Sequence, residues 1–391
     1  MGSPLQLLYL RDTTFVCGPG KTILNTFRTL DRSRFALTLG VPGQDGEPNS
    51  FVERALALGL PVVRIPAGGG LNAGGVRRLA AILRAHRIDV VQSHDFLTRR
   101  LALPAAALTR TKHITSVHGW IANSRKERLA RRLDQMLIRR ARHAVVVSGR
   151  LRQQVLQDAG MPEKRVTLLR NALLLDDYPE GGDVAEARRK LSLPPDAAVV
   201  SIVGRLNPEK GHSLFLEMAR RVASEFPKAA FLIVGQGPLR SPLGAHADAL
   251  GLRDRVQFLG HRSDMHVVYN ATDILALPSF TEGLPNVVLE AFAHGRPTVA
   301  TRVGGVPEVV THGVDGIIIE PGQAEALTAG VLALLRDPER ARNMGRRGRE
   351  TVAARFDFRR RTRALESLYE AVVAGQSVAA GEFDQSGTID E

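Results

Sequence analysis

Residues 281–295 read Thr281-Glu282-Gly283-Leu284-Pro285-Asn286-Val287-Val288-Leu289-Glu290-Ala291-Phe292-Ala293-His294-Gly295. A short apolar run at 274–277 precedes them, and a tight turn at Gly283-Leu284-Pro285 leads into an apolar helical run. The stretch therefore predicts a strand, a loop and a helix. Asn286 is expected to cap that helix by accepting a bond from a free backbone N–H, and Gly295 suits its end. The free N–H groups of a helix start form an anion site. Glu282 is expected in the loop above it, and Glu290 one turn into the helix on the same cleft. An anion flanked by two hydroxyl-accepting carboxylates points to a phosphorylated sugar or nucleotide. The same residues also fit a capped helix with two solvated glutamates.

Outward from this unit, the pattern repeats along all 391 residues. Apolar runs lie at 5–10, 35–41, 61–65, 88–92, 113–117, 144–148 and 166–169, then at 199–204, 231–235, 256–260, 274–277, 298–301 and 317–319. Helical segments separate them, which predicts βαβ units and parallel sheets. The series exceeds one ordinary open sheet and breaks at the polar, turn-rich stretch 176–183, which also weighs against a closed eightfold barrel. We expect an α/β chain of two doubly wound, Rossmann-like domains facing across a cleft, with ligands at the strand carboxyl ends. The expected limits are 1–178 and 179–356, then a helix at 357–374. The small, polar stretch 375–391 is expected to be disordered.

Composition narrows the partners. The net charge of +13 favours anions, while aromatics at 5% argue against a stacking platform for nucleic acid. The single cysteine, Cys17, leaves no intramolecular disulfide and fits a reducing compartment. Neither a signal peptide nor a membrane-spanning run is expected from the sequence. The expected location is cytoplasmic, with peripheral attachment to the inner face of the membrane as an option.

Five further stretches carry candidate chemistry. Val203-Gly204-Arg205-Leu206-Asn207-Pro208-Glu209-Lys210-Gly211 places Arg205 and Lys210 in a loop between a strand and a helix, a cradle suited to a diphosphate. Cys17-Gly18-Pro19-Gly20-Lys21-Thr22 follows the first strand. Phe15 stands where a nucleotide-binding P-loop needs glycine, so that reading is rejected. Gly18 and Gly20 fit either a ligand approaching the backbone or a plain strand–helix turn. His118, followed by Gly119 at a strand end, is read as functional; His94 is read as a structural hydrogen-bonder, and His113 as remote from the cleft. Residues 125–142 hold eight basic residues against Glu127 and Asp134, with Leu129, Leu133, Met136 and Leu137 on one helical face. The preferred reading there is a sheet-covering helix with a solvated basic face. The alternative is a surface that docks on anionic lipid.

Taken in order, Gly204-Arg205-Leu206, Glu209-Lys210-Gly211, Glu282-Gly283-Leu284-Pro285 and Glu290-Ala291 resemble family 4 of the retaining nucleotide-sugar glycosyltransferases. Val117-His118-Gly119, Val234-Gly235, Gly237-Pro238, Phe258-Leu259-Gly260 and Gly304-Gly305 agree in order and spacing, so the resemblance covers about residues 5–370. It implies the glycosyltransferase-B architecture, with the acceptor on the first domain and a nucleoside diphosphate sugar (UDP or GDP) on the second. It implies that Arg205 and Lys210 hold the donor diphosphate and that Glu290 binds the ribose. Glu282 and the backbone of Gly283, Leu284, Pro285 and Asn286 would hold the sugar and leaving phosphate, and His118 would contact the sugar near the reacting carbon. The helix at 357–374 would return to the first domain. The acceptor would be a carbohydrate or lipid-linked hydroxyl, in polysaccharide or glycolipid synthesis. The chain departs from the family at Ala172-Leu173 after Asn171, and at Gly18-Pro19-Gly20, where paired glycines are usual; both touch acceptor choice. With no Asp-x-Asp, no metal and no cofactor are expected. The rival reading is a nucleotide-sugar-binding protein without transfer activity.

Overall fold

A computed structural model describes residues 3–44, 46–66, 73–120 and 125–376, without the side chains of residues 125 and 126. The chain divides into two compact units, one running to Asn171 and resuming at Phe358, the other spanning Ala172–Asp357.

The first unit is built on β1 (Leu5–Leu10), β2 (Phe35–Pro42), β3 (Val62–Ile65), β4 (Val90–Ser93), β5 (Lys112–Val117), β6 (His143–Val146) and β7 (Val166–Leu168). They form one parallel sheet in the order β3-β2-β1-β4-β5-β6-β7. Successive residues of β1 serve opposite faces, as the pleat requires. Leu7 and Tyr9 join a core with Ile23, Phe27 and Phe35, while Leu8 and Leu10 join another with Leu79, Val91 and Leu101.

The second unit uses β8 (Val199–Val203), β9 (Ala230–Val234), β10 (Val256–Gly260), β11 (Ile274–Leu277), β12 (Thr298–Thr301) and β13 (Gly316–Ile319). Their parallel order is β10-β9-β8-β11-β12-β13. β9 and β11 are buried throughout. Helices cover both faces of such a sheet, so its strands read as unbroken apolar runs rather than alternating ones. All thirteen strands of the described residues coincide with the apolar runs.

Strand order reverses between β1 and β4 in the first sheet and between β8 and β11 in the second. Loops leaving the two central strands diverge there, and the gap they leave is where open parallel sheets bind ligands.

The passage between units falls at Asn171/Ala172 rather than at 178/179. Ala172, Leu173 and Leu174 are buried, and Leu173 donates its N–H to the Phe356 carbonyl at 2.9 Å. An apolar anchor thus ties the chain to the second unit before the polar stretch begins. The helix Phe358–Ala374 packs into the first unit, where Leu365, Leu368, Tyr369 and Val372 share the core of Leu7 and Phe35. Residues 377–391 lie outside the described residues.

The helix Arg125–Arg140 corrects the expectation of an inward leucine face. Leu129, Leu133 and Met136 are 61%, 47% and 52% exposed, whereas Asp134 and Ile138 are buried. Asp134 pairs with buried Arg99 and accepts the Trp120 indole N–H at 2.8 Å. A buried charge must be paired, and this pairing turns the helix so that its apolar stripe faces out.

Candidate active site

In the second unit, β8 ends at Val203 and the chain turns through Gly204 into the loop of Arg205 and Lys210. Leu206 is fully buried and donates its N–H to the Gln236 carbonyl at 2.9 Å, which anchors the loop. Arg205 is left exposed. Glu209 is buried beneath it, taking bonds at Oε1 from Asn207 Nδ2 at 3.2 Å and Arg205 Nη2 at 3.4 Å. The Glu209 carbonyl accepts the Phe280 N–H at 2.8 Å, joining the β8 loop to the β11 loop.

The β11 loop carries Glu282 to Lys210, with Nζ and Oε1 2.7 Å apart. Ser279 Oγ donates to the same oxygen, also at 2.7 Å. Gly304, with φ +55°, supports this loop from the other side; a Cβ there would stand 1.9 Å from the Glu282 carbonyl oxygen. Only glycine permits that approach and that φ together. Gly305 then donates its N–H to the Gly283 carbonyl at 2.6 Å.

The helix after this loop is Asn286–Ala293. The N-cap residue is Pro285 rather than Asn286, and no side chain caps the helix. Asn286 is already helical, which carries its amide past the free N–H groups it was expected to meet. Its Oδ1 is buried without a hydrogen-bond partner among the described residues. Gly295 ends the helix at φ +66°, as expected. Glu290 is only 4% exposed and accepts a bond at Oε2 from Tyr269 Oη at 2.8 Å. Burial, and then the adjacent Glu290 carboxylate, hold the Tyr269 hydroxyl well above its usual pKa, so it stays a donor. His294 Nδ1 lies 2.8 Å from the Glu290 carbonyl, and its ring stacks on Tyr269 with centroids 5.1 Å apart.

In the first unit, the carboxyl ends of β1, β4 and β5 bring Arg11, His94 and His118 together. Arg11 Nη1 donates to the His94 carbonyl at 2.9 Å. Asp95 caps the next helix, Phe96–Thr109, in a capping box with Thr98. His94 Nδ1 and His118 Nε2 are 3.4 Å apart, with the rings nearly parallel. One nitrogen must donate and the other accept, so at least the accepting ring is neutral in this pair. Burial, with Arg11, Arg361 and Arg99 adding, pushes His118 down to about 3; burial and then His118 push His94 well below its usual value. His94 is thus a hydrogen-bonder to the very histidine the sequence singles out. His113 points elsewhere, to Ser93 Oγ at 2.9 Å.

Gly18 and Gly20 fall in the first turn of the helix Gly18–Thr29. A Cβ at Gly20 would meet the Phe51 ring at 3.3 Å, so packing accounts for that glycine.

A group 1 glycosyl transferase model matches residues 183–351, and a glycosyltransferase family 4 model matches residues 16–176. The chain is 31% identical over 336 residues to a D-inositol 3-phosphate glycosyltransferase of Segniliparus rotundus, covering 78% of this chain and 71% of that protein. The chain belongs to glycosyltransferase family 4. An alpha-D-kanosaminyltransferase of Streptomyces kanamyceticus is 28% identical over 283 residues, covering 71% of this glycosyltransferase and 72% of the relative. The crystal structure of Anabaena HepE in complex with UDP and glucose shares the fold, with a TM-score of 0.84 at 20% identity over 94% of this chain and all of that one.

Within this glycosyltransferase the structure joins Lys210 to Glu282 directly and encloses Glu290 with Tyr269. Sequence reasoning missed Ser279, Tyr269 and Arg11. Ser279 follows Pro278 just past a strand end, a position that could have drawn notice. Tyr269 sits in the apolar pattern of the helix Met265–Ala271, where nothing marks its hydroxyl.

Proposed function

We propose that this chain transfers a sugar from a nucleoside diphosphate sugar to an acceptor hydroxyl, with the anomeric configuration retained. The observation that carries the proposal is the meeting of Lys210 and Glu282 at the β8/β11 reversal, with Nζ 2.7 Å from Oε1. A cation and a hydroxyl-accepting carboxylate side by side suit the phosphate and sugar ends of one donor.

In this reading Arg205 and Lys210 hold the diphosphate and stabilise the charge that gathers on it as the glycosidic bond breaks. Glu290 takes the ribose hydroxyls. Glu282 takes the donor sugar, and the backbone of Gly283, Leu284, Pro285 and Asn286 faces the leaving phosphate. His118 offers a neutral imidazole to the sugar near the reacting carbon. No bridging metal is needed, because two side-chain cations and a helix start serve the diphosphate. Attack comes from the face the diphosphate leaves, and the leaving phosphate takes the acceptor proton. Proton NMR of the product tests the stereochemistry: an α-linked donor gives an α-linked product, and a β-linked product contradicts the mechanism.

The acceptor in this reading is a carbohydrate or lipid-linked hydroxyl in polysaccharide or glycolipid synthesis. What supports it is the exposed stripe Leu129, Leu133 and Met136 among arginines on the helix Arg125–Arg140. Apolar side chains flanked by cations bind anionic bilayers from the water side. No helix among the described residues is long and apolar enough to cross a membrane. Changing Arg128, Arg131 and Arg132 to Glu should abolish sedimentation with phosphatidylglycerol vesicles and leave donor hydrolysis intact. Unchanged sedimentation would remove the lipid surface from the proposal.

A further inference from the structure

Both carboxylates of the Glu-x7-Glu pair are held by a buried hydroxyl from outside the pair. Ser279 and Tyr269 are each fully buried. Ser279 donates to Glu282 Oε1 at 2.7 Å, and Tyr269 donates to Glu290 Oε2 at 2.8 Å. An ionised carboxylate only accepts, so the direction of both bonds is fixed.

The donors are themselves fixed. Thr301 Oγ1 bonds the Ser279 carbonyl at 2.5 Å and the Leu277 carbonyl at 3.2 Å, tying the end of β11 to β12. The Tyr269 ring is stacked on His294, whose Nδ1 meets the carbonyl of Glu290 itself. A carboxylate in a mostly buried place destabilises the fold unless bonded, and an apolar side chain there would need no partner. A charge kept together with a dedicated donor is the arrangement expected when the orientation of the carboxylate matters. Glutamate has a loosely restrained terminal torsion, and one hydrogen bond from a rigid group removes that freedom. For Glu282, the hydrogen bonds from Lys210 Nζ and Ser279 Oγ both fall on Oε1, so one oxygen of the carboxylate is held from two sides.

We propose that Ser279 and Tyr269 are positioning residues, Ser279 aiming Glu282 at the donor sugar and Tyr269 aiming Glu290 at the ribose hydroxyls. The proposal rests on the donor-binding reading above. It adds a division of labour that neither the motif nor the family shows: one hydroxyl acts on turnover, the other on recognition of the nucleoside.

The experiment compares ribose and 2′-deoxyribose nucleotides. Calorimetric Kd values are measured for UDP, GDP and ADP and for their 2′-deoxy counterparts, using wild type, Tyr269→Phe and Ser279→Ala. Steady-state kinetics with the matching nucleotide sugar follow. Wild type should prefer the ribonucleotide by about tenfold, the worth of one well-placed hydrogen bond. Tyr269→Phe should shrink that preference to about twofold or threefold, raise donor KM and leave kcat within about twofold. Ser279→Ala should keep the full preference and lower kcat by about tenfold or more. A purely structural role would move thermal stability without moving the ribose preference.

An unchanged preference in folded Tyr269→Phe, or an unchanged kcat in Ser279→Ala, overturns the proposal. The two variants report on separate carboxylates, so one that fails to fold leaves the other decisive. A wild type that binds none of the six nucleotides overturns the donor-binding reading itself, a different outcome from binding with unmoved ratios.

Discussion

Replacing Glu282 by Gln should tighten the binding of the free nucleoside diphosphate while nearly abolishing turnover. Lys210 Nζ lies 2.7 Å from Glu282 Oε1, with the side chains 19% and 8% exposed. At that separation and an effective dielectric of about 20, the attraction is roughly 6 kcal/mol. Desolvation of two mostly covered groups offsets most of it. A diphosphate arriving at Lys210 therefore meets a cation already neutralised, and it feels the carboxylate as a like charge. With phosphate and carboxylate about 6 Å apart, and an effective dielectric of about 30–50 because a bound diphosphate reaches solvent, that repulsion is on the order of 1–2 kcal/mol, or about 5- to 30-fold in Kd. Gln removes the charge and keeps the acceptor oxygen for Ser279 and Lys210, so the loop should hold its shape. Calorimetry with UDP, GDP, ADP and dTDP gives the Kd values, and release of the diphosphate from the matching sugar nucleotide gives turnover. Affinity should rise within the stated range, and kcat should fall by about 10²–10³, the effect of losing one aligned polar contact to the reacting group. Equal or weaker binding by a folded Glu282→Gln variant would mean that Lys210 does not meet the diphosphate.

Three other outcomes follow from the geometry. Gly304→Ala places a Cβ 1.9 Å from the Glu282 carbonyl at φ +55°, so it should cost about 2–4 kcal/mol of stability and most of the activity; Gly251→Ala, at φ +69° with open space, should cost about 1 kcal/mol and keep activity. Burial lowers His113 and His118 to about 3, and His143 and His212 to about 4. Their folded pKa values lie below the unfolded value near 6.5, so the unfolded chain binds more protons in between. Stability should fall as pH drops from about 6.5 towards 4, with each histidine adding up to about 1.4 kcal/mol per pH unit. Denaturant melts that gain stability over that interval would refute this. EDTA should leave turnover unchanged; loss with EDTA and recovery with Mn²⁺ would contradict a metal-free diphosphate site.

The fold was legible because doubly wound sheets bury both faces of each strand. β9, Ala-Phe-Leu-Ile-Val at 230–234, has no polar side to confuse its reading. The site was legible where glycine and charge cluster at strand ends, as with Lys210 and Glu282. It was not legible where a contact joins residues far apart in the chain. Tyr269 and Glu290 are on different helices, and no local pattern announces the bond between them. Asn286 misled because a polar residue after proline looks like a cap, yet Pro285 already holds that place. The helix Arg125–Arg140 misled for a related reason: amphipathic periodicity gives the stripe but not its direction. The direction is set by the pairing of Asp134 with Arg99, 35 positions earlier. The exposed leucines therefore could not be told from core leucines until the ion pair was seen.

The most direct test of the central claim is an acceptor-free donor assay. The protein is incubated with UDP-, GDP-, ADP- and dTDP-sugars without added metal, and free nucleoside diphosphate is followed over time in wild type, Glu282→Ala and Lys210→Ala. The account predicts slow release from one class of donor, lost in both variants while each remains folded. Release that survives in folded Lys210→Ala and Glu282→Ala would contradict the assignment of donor chemistry to the pair that the β8 and β11 loops bring together.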